Sequence, residues 1–182
     1  MRTGSLRHYV SVQSRTETQS AVDGSTSYTW TTDRRIYAAI KPLRGNERFQ
    51  AQAVNPEMQF NVKVRHFDGM SNEMRLLVPT NQNRALSSGI NDTDTSITLG
   101  AAFDRFRNEN FYCRIEDEEI EVTGGHATTS LTVSRGLFGS SGAAHSSGKS
   151  VSELLIFEVV DVVPVMYSLH EIELLCSAQV GQ

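Results

Sequence analysis

The sequence predicts an all-β protein with one short helix: a small antiparallel β-barrel that carries an inserted second small β-domain. Strand-like runs with alternating apolar and polar residues recur along most of the chain. Turn-forming segments separate them, and polar, glycine-rich stretches bound a middle segment at 81–150. Hydrophobic residues make up 38% and charged residues 21% of the 182 residues, as in ordinary globular proteins.

The N-terminal third begins with a strand that has one buried face. Leu6, His8, Val10 and Val12 alternate with Arg7, Tyr9, Ser11 and Gln13. A polar stretch with a turn at Asp23-Gly24 follows. Further strands are predicted at about 27–30 and 35–41, or as one bent strand.

One short helix is predicted over 46–54, where Asn46 is an acceptable N-cap and Pro56 ends the helix. The clearest alternation places Met58, Phe60, Val62 and Val64 inward. Another strand covers 74–78 and is expected to stop at Pro79. Two strands are predicted in the C-terminal runs LLIFEVVDVVP and HEIELLCSA, with core residues Phe157, Val159, Ile172 and Leu174.

The middle segment has its own strands in SITL, FYCRIE, EIEVTG and SLTVSRG. From residue 81 to 151 it holds 6 Lys and Arg against 9 Asp and Glu, a net charge of −3. Insertion of a domain is tolerated at a loop tip. We therefore predict a β-barrel built from 1–80 and 151–182, with an inserted β-module at 81–150.

Motifs for catalysis, metals or cofactors do not emerge from the sequence. Cys113 and Cys176 lie in strand-like runs and are predicted to be buried free thiols. The five histidines are scattered. Asp92, Asp94 and Asp104 fit a capped turn better than a calcium loop. The run 116–121 fits a solvated hairpin tip better than paired catalytic carboxylates. We expect no enzyme and no cofactor.

The charge and hydropathy of the chain bound its partners and its place of synthesis. The net charge of −4 argues against a surface that grips nucleic acid everywhere. It still allows a channel wall past which DNA slides. The N-terminus lacks the apolar core of a signal peptide, and no run has the length of a membrane span. We expect synthesis in a host cytoplasm and no membrane partner.

Several motifs in fixed order resemble the phage head–tail joining family, the head-completion or stopper proteins of long-tailed phages and gene-transfer particles. They read GSLRHYVSVQ, DGSTSYTWTT, IYAAIKPLRGNERFQAQAV, FNVKVRHFDGM and MRLLV, then LLIFEVVDV and HEIELLC. The matching positions are Gly4, Leu6, Arg7, Val10, Gly24, Trp30, Ala38, Pro42, Leu43, Gly45, Glu47, Ala51, Val64, Arg65, Met74 and Arg75.

The middle segment has a separate likeness. It resembles a small β-module that recurs in phage structural proteins, whose marks are Arg135-Gly136 and Ala144-His145. We interpret the middle segment as a decoration that enlarges a subunit contact or the outer surface.

The family resemblance implies a homo-oligomeric ring of six or twelve copies in the neck of a virion. Such a ring lies beneath the portal or adaptor ring and above the tail terminator or tail tube. It closes the channel over packaged double-stranded DNA and offers the tail a docking surface.

The resemblance also points to a channel-gating loop. Its residues are Lys41, Pro42, Leu43, Arg44, Gly45, Asn46, Glu47 and Arg48. Lys41, Arg44 and Arg48 are candidates for contacts with DNA phosphates. The alternative for this loop is an ordinary contact between subunits.

Two other functions stay open at this point. One is a different neck ring, an adaptor or tail terminator. The other is a glycan-binding or host-attachment module carried by the middle segment, which exposed aromatic residues would favour. Its aromatic residues are Phe103, Phe106, Phe111, Tyr112 and Phe138.

Overall fold

The protein is all-β, as the sequence predicts. The structure, a computed structural model, describes residues 6–21, 23–44, 58–104, 109–164 and 171–179. These residues form ten strands and no helix. None of them forms a helix long and apolar enough to cross a bilayer. The predicted helix at 46–54 lies outside the described residues.

The strands, in chain order, are β1 (His8–Gln19), β2 (Thr26–Pro42), β3 (Met58–Arg65), β4 (Arg75–Ala85), β5 (Ser96–Thr98), β6 (Phe111–Ile115), β7 (Glu118–Gly124), β8 (Ser130–Ser134), β9 (Ser150–Pro164) and β10 (Glu171–Gln179). The chain divides into two compact units. The first unit comprises 1–78 and 156–179, and the second comprises 79–155 with the last three residues.

Six strands contribute to the first unit, and their pairings close on themselves. The order is β10-β3-β2-β1-β4-β9, and β9 pairs back with β10. All pairings with a described register are antiparallel. Such closure gives every strand of the ring two neighbours, as in a small barrel.

The interior of this ring is filled by the apolar residues of the alternating pattern. Val62 and Val64 of β3 are fully buried, and the predicted core residues of β9 and β10 are buried with them. The rings of Phe60 and Phe157 pack with centroids 4.6 Å apart. Cys176 is a buried free thiol, as predicted.

The strands predicted at 27–30 and 35–41 are one continuous strand, β2. It pairs with β1 over almost its whole length, with an irregularity between Val12 and Gln13. The outer part of this hairpin, 14–19 paired with 26–31, is called the arm below. Asp23 accepts hydrogen bonds from the backbone N–H and hydroxyl of Ser25. Hydrogen bonds from Ser20 and Ser25 lower the pKa of Asp23 to about 2.

The prediction that Pro79 ends a strand is wrong, because β4 continues to Ala85. The expectation of turn formers at 81–85 fails with it. The last β1–β4 pair is Ser11 with Leu77, so Pro79 lies beyond the β1–β4 ladder and supplies no N–H to β1. Proline is tolerated in a strand where its nitrogen faces no ladder partner.

The second unit is a separate β-structure with its own core. Its strands run in the order β9-β6-β7-β8-β5, and isolated bridges join Leu86 to Leu99 and Ile90 to His145. The fully buried side chains include Ile115, Ile120 and Val122, and the free thiol of Cys113 lies among them. The predicted strands of the middle segment are thus all present. The division between the units falls at Val78/Pro79 and Leu155/Ile156, inside β4 and β9.

Candidate functional site

The described part of the predicted gating loop lies where β2 ends. Lys41 and Pro42 are its last strand residues, and both are exposed. Leu43 is half-buried and Arg44 is exposed. Gly45, Asn46, Glu47 and Arg48 lie outside the described residues.

Strand register brings three further polar residues beside this end of β2. Lys41 pairs with Asn61 of β3, and Lys63 pairs with Glu173 of β10. All of these side chains share the face opposite to the buried valines, because side chains alternate along a strand. Together with the loop they line an open groove of about 510 Å³, formed by Lys41, Pro42, Arg44, Asn61, Lys63 and Glu173.

The groove carries more positive than negative charge. Glu173 forms an ion pair with Lys63 and accepts a hydrogen bond of 2.7 Å from the Asn61 side-chain amide. The hydrogen bonds from Lys63 and Asn61 lower the pKa of Glu173, so its carboxylate is ionised and committed to these partners. Among the residues that line the groove, Lys41 and Arg44 add positive charge that this carboxylate does not neutralise. Such a surface suits a polyanion with several oxygen acceptors, such as a phosphate backbone.

A second polar cluster fixes the base of the arm. Gln13 is fully buried, and its side-chain oxygen accepts a 2.7 Å hydrogen bond from Nε of Arg75. The Gln13 amide donates to the Thr32 hydroxyl at 3.0 Å. The Arg75 guanidinium lies over the Trp30 ring, 4.2 Å from its centroid. The prediction of a single buried face on β1 is therefore wrong, since Ser11 and Gln13 are buried as well as the valines.

Glu158 of β9 is a carboxylate in this part of the first unit. Burial raises its pKa, although the charges of Arg75 and Arg15 act in the opposite direction. Burial, with a smaller effect of Glu158, also raises the pKa of the Cys176 thiol to about 12. A thiol held in this state is a poor nucleophile.

In the second unit, Glu116 and Asp117 are exposed as predicted for a solvated tip, but the prediction is wrong for Glu118 and Glu119, which are buried. Arg135 donates two hydrogen bonds of 2.6 Å to the Glu118 carboxylate, one to each oxygen. The backbone N–H groups of Gly136 and Ala143 each add one of 3.2 Å. Burial alone would raise the pKa of Glu118, but the hydrogen bonds, with Arg135 foremost, lower it.

His145 completes this network. Its Nε2 lies 2.8 Å from Glu118 and its Nδ1 lies 2.9 Å from Glu116. The Lys149 ammonium also pairs with Glu116. Hydrogen bonds from Lys149 and then His145 lower the pKa of Glu116. Each ring nitrogen of His145 thus lies within hydrogen-bond distance of a carboxylate oxygen. We call Glu116, Glu118, Arg135, His145 and Lys149 the buried network.

The remaining candidates of the second unit have structural roles. The Asp94 carboxylate accepts a 2.7 Å hydrogen bond from the Asn91 N–H, as expected of a capped turn. Phe103 and Phe111 are buried edge to face, and Tyr112 packs on Phe138. These four aromatic residues therefore offer no exposed binding face, and Phe106 lies outside the described residues. No cluster of potential metal ligands occurs within the described ranges.

The sequence anticipated some of these residues and missed others. Trp30 and Arg75 were matching positions, and the structure places them in contact. Arg135 and His145 were marks of the small β-module, and they meet on one carboxylate. Lys63, Asn61 and Glu173 were not predicted as part of the groove. Their only signal is strand register, which the sequence does not give before the pairing of β2, β3 and β10 is known.

Comparison with known protein families assigns the chain to one of them. No curated protein matches it. A family model described as phage head completion protein matches residues 1–95, just over half of the 182 residues. The match covers β1 to β4 and includes Lys41, Arg44, Trp30 and Arg75. The chain therefore belongs to the phage head completion protein family, and it is a structural component of the bacteriophage virion.

Proposed function

We propose that the protein is a head-closure, or stopper, protein of the virion neck. A ring of copies beneath the portal or adaptor closes the channel after DNA packaging and presents the docking surface for the tail. The residues proposed to act at the channel are those of the loop that begins at Lys41 and ends at Arg48. The single observation that carries this proposal is the basic groove at the end of β2, in a chain of the head-completion family.

The groove supports contact with DNA because its excess charge lies at the start of the loop. Lys41 and Arg44 are exposed, and the carboxylate of Glu173 is already held by Lys63 and Asn61. Each cation that meets a phosphate releases condensed counterions, which favours binding without regard to base sequence. Arg48 extends the same proposal to the far end of the loop.

A ring strengthens such contacts through copy number. One copy offers few phosphate contacts, which bind weakly at physiological salt. Six or twelve copies around one duplex act together, so that the combined attachment is firm although each contact is reversible. The net charge of −4 keeps the rest of the surface from trapping DNA. The tail terminator or tail tube below and the portal or adaptor above are the proposed neighbours in the neck.

Deletion of 44–48 tests the gate. We expect the variant to join DNA-filled, tailless heads as the wild type does, but to release DNA from them. DNA retention is measured by the nuclease sensitivity of purified particles. Incorporation with normal retention would show that the loop is not a gate, and absence from the heads would contradict the neck position itself.

A matched pair of substitutions separates charge at the groove from charge elsewhere. Arg44→Ala removes a cation that lines the groove. Arg34→Ala removes an exposed cation of β2 that lies ten residues before Arg44, a distance of about 30 Å along an extended chain. We expect only Arg44→Ala to increase DNA release, and more so at high salt, because salt screens the remaining contacts. Equal behaviour of the two variants would contradict a specific role for the groove.

A further inference from the structure

The arm projects beyond the ring of strands with both faces exposed. β1 pairs with β4 only over 11–13, so the arm strands pair with each other alone in the described registers. Every described residue from Arg15 to Gln19 and from Ser25 to Thr29 is exposed. A two-stranded hairpin is marginally stable by itself in water.

The base of the arm is nevertheless held in a fixed direction. Arg75 anchors it through Gln13 and Trp30, and Arg15 forms a 2.8 Å ion pair with Glu73 outside the arm. Buried cations such as Arg75 are costly unless their partners are well placed. A rigid base under an otherwise uncovered hairpin indicates that the direction of the arm matters.

The two faces of the arm differ in chemistry. One face carries only hydroxyl side chains, namely Ser14, Thr16, Thr18, Ser27, Thr29 and Thr31. The other presents Tyr28, which is 52% exposed, with Glu17 directly opposite on β1. The Arg15 guanidinium lies 5.0 Å from the Tyr28 ring centroid and holds that ring in place. An exposed tyrosine packed against an arginine is the kind of side chain that anchors protein interfaces.

An apolar groove on the first unit matches this face. Leu6, Ile36, Tyr37 and Arg65 line an open space of about 430 Å³. Tyr37 is 58% exposed, and its ring packs 5.0 Å from that of Tyr9. The space is large enough for a tyrosine ring, since clefts of roughly 300–1,000 Å³ take whole small-molecule ligands. Arg65 supplies a positive charge at the groove, with Glu171 opposite it on β10.

The arm cannot fill the groove of its own chain. Tyr28 and Tyr37 are nine positions apart on the same extended strand, which separates them by about 30 Å. We propose that the arm docks on a second copy of this chain, with Tyr28 in the groove of Leu6, Ile36, Tyr37 and Arg65 and Glu17 facing Arg65. The contact joins two different surfaces, so it repeats from copy to copy and closes a ring where the rotation permits. This inference rests on the ring of the proposed function.

A photo-cross-linking amino acid at position 28 tests the docking directly. Full-length protein carrying it, half of it isotope-labelled, is incorporated into DNA-filled heads, irradiated and mapped by mass spectrometry. We expect mixed-label cross-links to the segments around Leu6, Ile36–Tyr37 and Arg65. Cross-links within one chain, to another surface, to another virion protein, or none at all would overturn the proposal.

A matched pair of variants adds a functional readout. Tyr28→Ser removes the anchor, whereas Thr29→Ser alters the neighbouring position on the hydroxyl face. We expect Tyr28→Ser to lower incorporation into heads about tenfold and Thr29→Ser to leave it unchanged. Circular dichroism of both purified variants checks that the fold is intact.

The failures of the two proposals can be told apart. A wild-type chain that does not join heads overturns the neck ring, and the arm contact falls with it. A wild-type chain that joins heads, together with a Tyr28→Ser variant that joins equally well, overturns the arm contact alone.

Discussion

The groove at the end of β2 and the buried network of the second unit use the same kinds of side chain in opposite ways. In the buried network, Glu118 accepts five hydrogen bonds, and Arg135 and His145 are themselves enclosed. In the groove, Glu173 is satisfied by Lys63 and Asn61, while Lys41 and Arg44 remain exposed.

This difference teaches how structural charge is distinguished from charge available to a partner. A buried ion is tolerated only when its partners are complete, so removal of one partner from the buried network is expected to destabilise its unit. Exposed surplus cations add little to stability, and their natural partner is an anion from outside. The residue types alone do not distinguish these two kinds of charge. The burial of each side chain and the number of its hydrogen-bond and ion-pair partners do.

The largest expected effect is the loss of the second unit's stability on Arg135→Ala. The substitution removes the charge of Arg135 and its two 2.6 Å hydrogen bonds from the buried Glu118 carboxylate, and we expect a loss of about 3 kcal/mol or more. Thermal or urea unfolding followed by circular dichroism measures it. An unfolding curve like that of the wild type would contradict the structural role, and Arg44→Ala is the control because it removes an exposed cation.

Acidification tests the same network through its carboxylates. The pKa of Glu118 is lowered on folding, and so is that of Glu116. The two ionised carboxylates therefore contribute their full stabilisation above the pKa of an unfolded glutamate, near 4.3. This stabilisation is lost as the pH falls through their lower pKa values in the folded state. We expect the wild type to lose more stability than Glu118→Gln between about pH 5 and pH 2. Parallel pH profiles would contradict this assignment.

Glu158→Gln extends the comparison to the first unit, where the pKa of a carboxylate is shifted in the opposite direction. The pKa of Glu158 is raised, so folding favours its protonated form. The Glu158 carboxylate therefore destabilises the fold increasingly as the pH rises from its unfolded pKa through its raised folded pKa. We expect Glu158→Gln to gain a small amount of stability at pH 7, below about 1 kcal/mol, and none at pH 3. A loss at pH 7 would show that Arg75 and Arg15 outweigh burial.

The smallest effect on stability is expected at the groove. Lys41→Ala should change the free energy of unfolding by no more than about 0.5 kcal/mol, because the side chain is exposed. The same variant should increase nuclease-sensitive DNA in particles. Lys63→Ala, which breaks the ion pair with Glu173, is the comparison variant. Its free energy of unfolding should fall more than that of Lys41→Ala.

Sequence periodicity was sufficient for the fold class and for most strands. The valines of β3 and the apolar residues of β9 and β10 lie in the core because their period is two and one face is buried. The same rule failed at Gln13, since a side chain pointing away from the barrel core is buried by Arg75 and Trp30. Long-range partners of this kind leave no local pattern.

The site was less predictable than the fold. Lys41 and Arg44 were expected from the family resemblance, and the structure places them at one groove. Glu118 was expected to be solvated because acidic hairpin tips usually are. Its burial depends on Arg135, 17 residues later, and on His145, 27 residues later. Only the fold of the second unit brings these three together.

The closed pairing of the first unit has a consequence for the chain before assembly. Where a strand is paired on both sides, its backbone is not open to other chains, which removes the commonest route to edge-to-edge aggregation there. In the described part of the first unit, the open edges are on the arm and on the adjoining residues of β2, which also carry Arg15, Glu17, Asp33 and Arg34. Charges on an open edge discourage indiscriminate pairing. The open edge of the arm is therefore protected against indiscriminate pairing, while its backbone groups stay available to a well-matched strand.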